Sequence, residues 1–240
     1  MPAQAIQISG VQGPTFGTAQ AIDPTFNAAR VALRPLDYSH LGVVLGHYAV
    51  AQASGATVSL AAAAMLASMR WSDASRLCVL MRIRAGWSIT GAVTAATVMD
   101  LQAVIARAFS VDFTTNSTAA NLAAPANTNK MRSSMGTSLM GTNGPRIATT
   151  AAMSGQTATA DANPFAMMPF PNQPSGNATV TQAIGVGANA VDLYSLTALN
   201  QHPIVLTANE GILIQPVTAG PVTGSVKYYI QWEWAEVVLY

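Results

Sequence analysis

Three glutamates, Glu210, Glu233 and Glu236, all fall within the closing stretch His202–Tyr240. Paired carboxylates are the commonest acid/base device, so their spacing is the first chemical question. In "SVKYYIQWEWAEVVLY", Val226, Tyr228, Ile230, Trp232, Trp234 and Val238 share one parity, and Lys227, Gln231 and Glu233 share the other. Glu236 falls with the apolar set, so on a strand it points away from Glu233 and the two cannot act together. Other chemistry is equally thin. "GTSLM" (136–140) lacks the second glycine of a nucleophile elbow and any helical pattern after it. "GVGANA" (185–190) fits G-x-G-x-x-A, but the following "VDLYSLTAL" is not helical, so a glycine-rich turn is expected there. His40, His47 and His202 have no carboxylate or cysteine at metal-ligand spacing. Cys78 is alone, excluding an internal disulfide and a cysteine-based zinc site, and its run "RLCVLMRI" predicts a buried thiol. Trp71, Trp87, Trp232 and Trp234 suit either a stacking platform or sheet packing, and the core parity of the last two favours packing.

The elements that would position these residues read as strands. From Arg76 the period is two: Leu77, Val79, Met81, Ile83 and Ala85 face one way, expected to be the core, with Arg76, Cys78, Leu80, Arg82 and Arg84 opposite. Residues 101–113 alternate likewise, with Arg107 breaking the apolar parity. A helix over 97–108 is the competing reading. Further strands are expected at "PRIATTAAM", introduced by the turn dipeptide Asn143-Gly144, and at "VDLYSLTAL", "PIVLTA" and "GILIQPV". The Ala-rich stretch through 60–69 is read as extended, with a short helix as its alternative. The tract "NPFAMMPFPNQP" is expected to pack as a loop, because prolines exclude a central strand. Closely spaced prolines and glycines make residues 1–35 an extended arm. Residues 36–240 form one domain with a loop-rich insertion around 114–176.

Composition sets the environment. Half of the chain is apolar and only 9% is charged, against roughly 25% in ordinary soluble domains. So few charges suit a protein that works inside an assembly. A net charge of +1 argues against bulk nucleic acid or an anionic membrane as partner. The arginines between 30 and 110 are expected either to pair with acids on neighbouring strands or to form a basic surface for an acidic partner. The N-terminus shows no signal-peptide pattern, no apolar run reaches spanning length, and the two Asn-x-Thr matches at Asn116 and Asn177 read as chance.

The succession "AARVALRPLDYSHLG", "MRWSDASRLCVLMRIRAG", "LQAVIARAFSVDF", "NKMRSSMGTSLMGTNGPRIATTAAMSGQT" and "HPIVLTANEGILI…WEWAEV" resembles virion structural proteins of tailed bacteriophages. The resemblance covers residues 30–238 and centres on Arg70, Trp71, Arg107, Arg146, Glu210, Trp234 and Glu236. It implies a capsid decoration or cement protein without enzymatic activity or cofactor, assembled in the host cytoplasm onto the major capsid protein and copies of itself. A head–tail or tail component is the alternative within that class, and a carbohydrate-binding adhesion module the alternative outside it. The fold expected is an all-β antiparallel sandwich of jelly-roll type with about eight strands. Glu210 is expected to accept backbone N–H groups in the turn before its strand. Arg107 and Glu236, each the odd charge on an apolar face, are expected to pair.

Overall fold

The structure is a computed structural model that describes residues 22–23, 28–29, 44–95, 97–123, 129–131, 133, 135–171, 190–196 and 202–238. The chain divides into two units, Met1–Asp37 and Tyr38–Tyr240. Described in the first are β1 (Ile22–Asp23) and β2 (Ala28–Ala29), paired antiparallel with Ile22 opposite Ala29. The rest of the expected arm, and the turn read at 185–189, lie outside the described residues.

The second unit is all-β. Its strands are β3 (Val44–Ala53), β4 (Ala67–Trp71), β5 (Leu77–Gly91), β6 (Asp100–Val111), β7 (Ser117–Ala119), β8 (Arg146–Ala148), β9 (Thr157–Ala160), β10 (Ala166–Pro169), β11 (Ala190–Ser195), β12 (Ile204–Leu206), β13 (Glu210–Pro216) and β14 (Ser225–Val237). One sheet runs β10–β6–β13–β4–β8–β7, with β9 also on β6; the other runs β11–β5–β14–β3, with β12 also on β5. Every pairing is antiparallel. The pairs are nested: β3 lies on β14, β4 on β13, β5 on β11 and β12, and β6 on β9 and β10. From β3 to β6 the chain changes sheet at each step, so the sheets are laid down together.

Both sheets contribute to one apolar core, the arrangement of a β-sandwich. Met69, Trp71, Phe109 and Ile212 come from one sheet; Tyr48, Ile83, Trp87, Trp232 and Trp234 come from the other. Tyr48 stacks on Trp234 with ring centroids 5.6 Å apart, and Trp87 meets Phe170 edge-on at 6.3 Å. Aromatic pairs at such distances add about 0.5–1.5 kcal/mol beyond burial. All four tryptophans are buried, so none presents a platform to solvent.

Several local expectations change. In β5 the core face is Cys78 and Leu80, then Ile83, Ala85 and Trp87. Opposite β14, Trp234 pairs with Leu80 and Glu233 with Arg82, leaving Met81 as an extra residue. That bulge flips the parity, so Leu77, Val79 and Met81 gather with Val205, Ala235 and Val237 in a separate cluster. In β6, Ala108 has φ +50° and the register on β9 shifts between Arg107 and Val111. Arg107 and Ala108 are consequently both exposed, while Phe109 returns to the core.

No helix forms over 97–108, nor over 60–69. Ala63 adopts φ +59°, and the amides of Ala63 and Leu66 donate to Pro216 and Ile214, so contacts with β13 override alanine's helix preference. The insertion holds more than loops: β7 and β8 extend one sheet past β4, while β9 and β10 border β6. The proline tract contributes β10, a short edge strand ending at Pro169, where a missing N–H is tolerated.

Candidate functional site

The singled-out residues fall into two clusters, with Arg146 apart. In the first, β4, β6 and β13 bring together Arg70, Arg107 and Glu210, with Trp71 opposite Glu210 in the register. The turn into β13 is tight. Asn209 has φ +63°, which its short amide side chain tolerates, and its N–H donates to Trp71 O at 2.8 Å. The Glu210 carboxylate accepts the Thr207 N–H at 2.9 Å, the role expected from the sequence. Arg70 donates through Nε to Phe109 O at 2.6 Å, through Nη1 to Asp112 Oδ2 at 3.0 Å and through Nη2 to Asn209 Oδ1 at 3.2 Å. One guanidinium thus ties the β6 bulge to the β13 turn.

Arg107 does not reach Glu236. Its Nη1 contacts Glu210, and its Nε lies 3.6 Å from Asp161 Oδ1. The bulge turns its side chain outward to 49% exposure, which is why it needs no partner in the core. Burial works to raise the Glu210 pKa, but hydrogen bonds from Thr207 and Arg107 outweigh it and hold the carboxyl below its ordinary value.

The second cluster surrounds Glu236, at 0% exposure the most deeply buried acid described. Ser138 Oγ donates to Glu236 Oε1 at 2.6 Å, Trp234 Nε1 donates to the same oxygen at 3.1 Å, and the Leu139 N–H spans both oxygens at 3.2 and 3.1 Å. The Tyr48 hydroxyl donates to Gly136 O at 2.9 Å. Together these contacts pin residues 136–139, part of the insertion, to β14 and β3. Burial raises the Glu236 pKa, with hydrogen bonds from Ser138, Leu139 and Trp234 opposing, and burial likewise pushes the Cys78 thiol up. Sequence reading missed Ser138 as this partner. The signal available was the polar dipeptide Thr137-Ser138 inside a glycine-bounded loop.

Ser138 and Glu236 have the chemical identity of a nucleophile and a base, but both are sealed inside the fold, so their hydrogen bond is structural. His47 Nε2 lies 2.9 Å from Glu233 Oε1 on the outer face of β3 and β14, the face opposite the buried Glu236. Among the described residues, no group of three His, Cys, Asp or Glu side chains is placed to hold a metal. Arg146 Nη1 donates to Ser117 Oγ at 3.1 Å, linking β8 to β7, and Trp71 Nε1 donates to Arg76 O at 2.9 Å.

The remaining arginines answer the question of charge placement. Arg82 forms a two-pronged bond with Asp192, at 3.1 and 2.8 Å, and Arg84 Nε stands 3.7 Å from the same carboxylate. The Arg82 bond holds Asp192 below its ordinary pKa. Arg70, Arg82, Arg84 and Arg107 therefore each have an acid from a neighbouring strand or loop, whereas Arg76 donates to Ser75 O and Arg30 and Arg34 lie outside the described residues. Compared with protein-family models, curated proteins and solved structures, the chain matches none.

Proposed function

We propose that this chain is a non-enzymatic structural protein of a tailed-phage virion, a decoration or cement protein seated on the major capsid protein and on copies of itself. The observation that carries this reading is the nested strand order. We read the antiparallel ribbon, β3–β6 running out and β9–β14 running back over two sheets, as a jelly roll, an architecture common in capsid and lectin domains. A fold alone assigns no function. Two further features support the choice.

The charged side chains of both clusters hold bulges, turns and the insertion in place, a structural use of charge that fits this reading. The chain is also poor in charge, and Met167, Met168 and Val111 stand exposed on β10 and β6. A neutral exterior with exposed aliphatic groups suits burial against neighbouring subunits better than free diffusion. Residues 1–35 would serve as the arm that joins them. A cryo-electron map of particles carrying the chain tests the proposal: hundreds of ordered copies on the head are expected. A dozen copies at the tail, or absence from the particle, overturns the decoration role.

A further inference from the structure

The outer face of the β11–β5–β14–β3 sheet carries a shallow open cavity of about 470 Å³, within the size range of small-ligand sites. Its centre is Tyr229, an aromatic side chain 43% exposed. Tyr229 is paired with Gly86 on one side and Ala53 on the other, so neither cross-strand partner has a side chain large enough to cover its ring. Its hydroxyl hydrogen-bonds Ser88 Oγ at 3.1 Å, two residues further along β5. The ring therefore lies down across β5 and turns one face to solvent.

The next row of the same face places Gln231 between Ala51 and Arg84. Two residues along a strand is about 6.6–6.8 Å, the width of one sugar ring with its hydroxyls. Gln231 carries no side-chain hydrogen bond among the described residues. Arg84, 48% exposed, makes none either, because Arg82 occupies both oxygens of Asp192. Here an aromatic face, the Gln231 amide and the Arg84 guanidinium, held to Asp192 only by a long ion contact of 3.7 Å, converge on a floor of glycine and alanine.

We infer that this cavity binds a neutral saccharide. The polarised C–H face of a pyranose would stack on the negative face of the Tyr229 ring. The hydroxyls on its rim would accept from Arg84 and exchange hydrogen bonds with Gln231. Charge decides against a polyanion: Arg82, Arg84 and Lys227 on this face stand against Asp192 and Glu233, and an excess of one positive charge is too little to make an electrostatic funnel for nucleic acid. The inference does not depend on the virion role, since it concerns the isolated chain.

The test is saturation-transfer NMR on the purified full chain with neutral hexasaccharides of glucose, N-acetylglucosamine and mannose, and with oligothymidylate as the anionic probe. At least one hexasaccharide should receive transfer at millimolar concentration, and oligothymidylate none. Tyr229→Ala should weaken that binding by about 10-fold or more, the scale of one lost stacking contact. Gln231→Ala and Arg84→Ala should weaken it by smaller factors, while Val222→Ser, exposed elsewhere, should leave it unchanged. All of these positions are on the surface, so circular dichroism should match the parent chain. Failure of every hexasaccharide, unchanged binding by Tyr229→Ala, or preference for oligothymidylate would overturn the proposal.

Discussion

Glu236 is a fully buried carboxyl that accepts hydrogen bonds from Ser138, 98 residues away in sequence, and from Leu139 and Trp234. The physical consequence is a pH dependence. A carboxyl whose folded pKa is raised takes up a proton more readily in the folded state, so its contribution to stability is full below the unfolded value and is lost as pH rises through the folded one. Glu210 and Asp192 act in the opposite sense: their pKa values are lowered, and their contribution is lost as pH falls through those values. The chain should therefore be most stable in mildly acidic solution, with the thermal midpoint falling toward neutral pH. Glu236→Gln keeps an oxygen for Ser138 and Trp234 and should flatten that slope in a pH series of melting curves. Glu236→Ala strands the buried donors of Ser138 and Trp234 along with the Leu139 N–H and should cost about 3 kcal/mol or more by urea titration. Arg107→Met, at an exposed pair, should cost less than about 1 kcal/mol by the same measurement.

Among elements, strand existence was readable while strand faces were not always so. The alternation of β14 survives intact from Val226 to Trp234, with Tyr229 and Glu233 on the outer side. In β5, apolar residues occupy both parities from Leu77 to Met81, so the sequence offers no mark of the extra residue that switches faces. Only the pairing with β14 locates it. The β13 turn is the converse, since "ANEGI" announces a constrained turn by its asparagine and glycine. Gly211 shows why: a Cβ there would sit 2.3 Å from Met69 O and 2.7 Å from Phe109 Cδ1, both fixed by the core. Gly211→Ala should destabilise the sandwich by about 1–3 kcal/mol or more, measured as a drop in denaturant midpoint with an unchanged slope. Gly141, around which nothing lies within 4 Å, should respond only through its φ of +60°.

At the scale of the whole molecule, the sequence announced an all-β chain through its recurring period of two. The sheet order was beyond it, since register between strands far apart in sequence leaves no local trace. The unit boundary at Asp37 falls close to the point where the proline spacing relaxes. Deleting residues 1–28 should leave the circular dichroism spectrum of the sandwich unchanged while abolishing its retention on particles; full retention would remove the arm from the assembly role. The nesting of the strands bears also on how the protein is made. Among the described strands β3 pairs with β14, so the sheet it edges stays open while the ribosome adds everything between Val44 and Val237. At about 5–20 residues per second that interval is roughly 10–40 s. Throughout it, β3 and β5, with core residues such as Tyr48, Ile83 and Trp87, wait without the strand that lies between them, on a nascent chain with few charges to keep copies apart. Codon usage along that span, and holding chaperones at the exit port, should govern yield more than any contact in the finished sandwich.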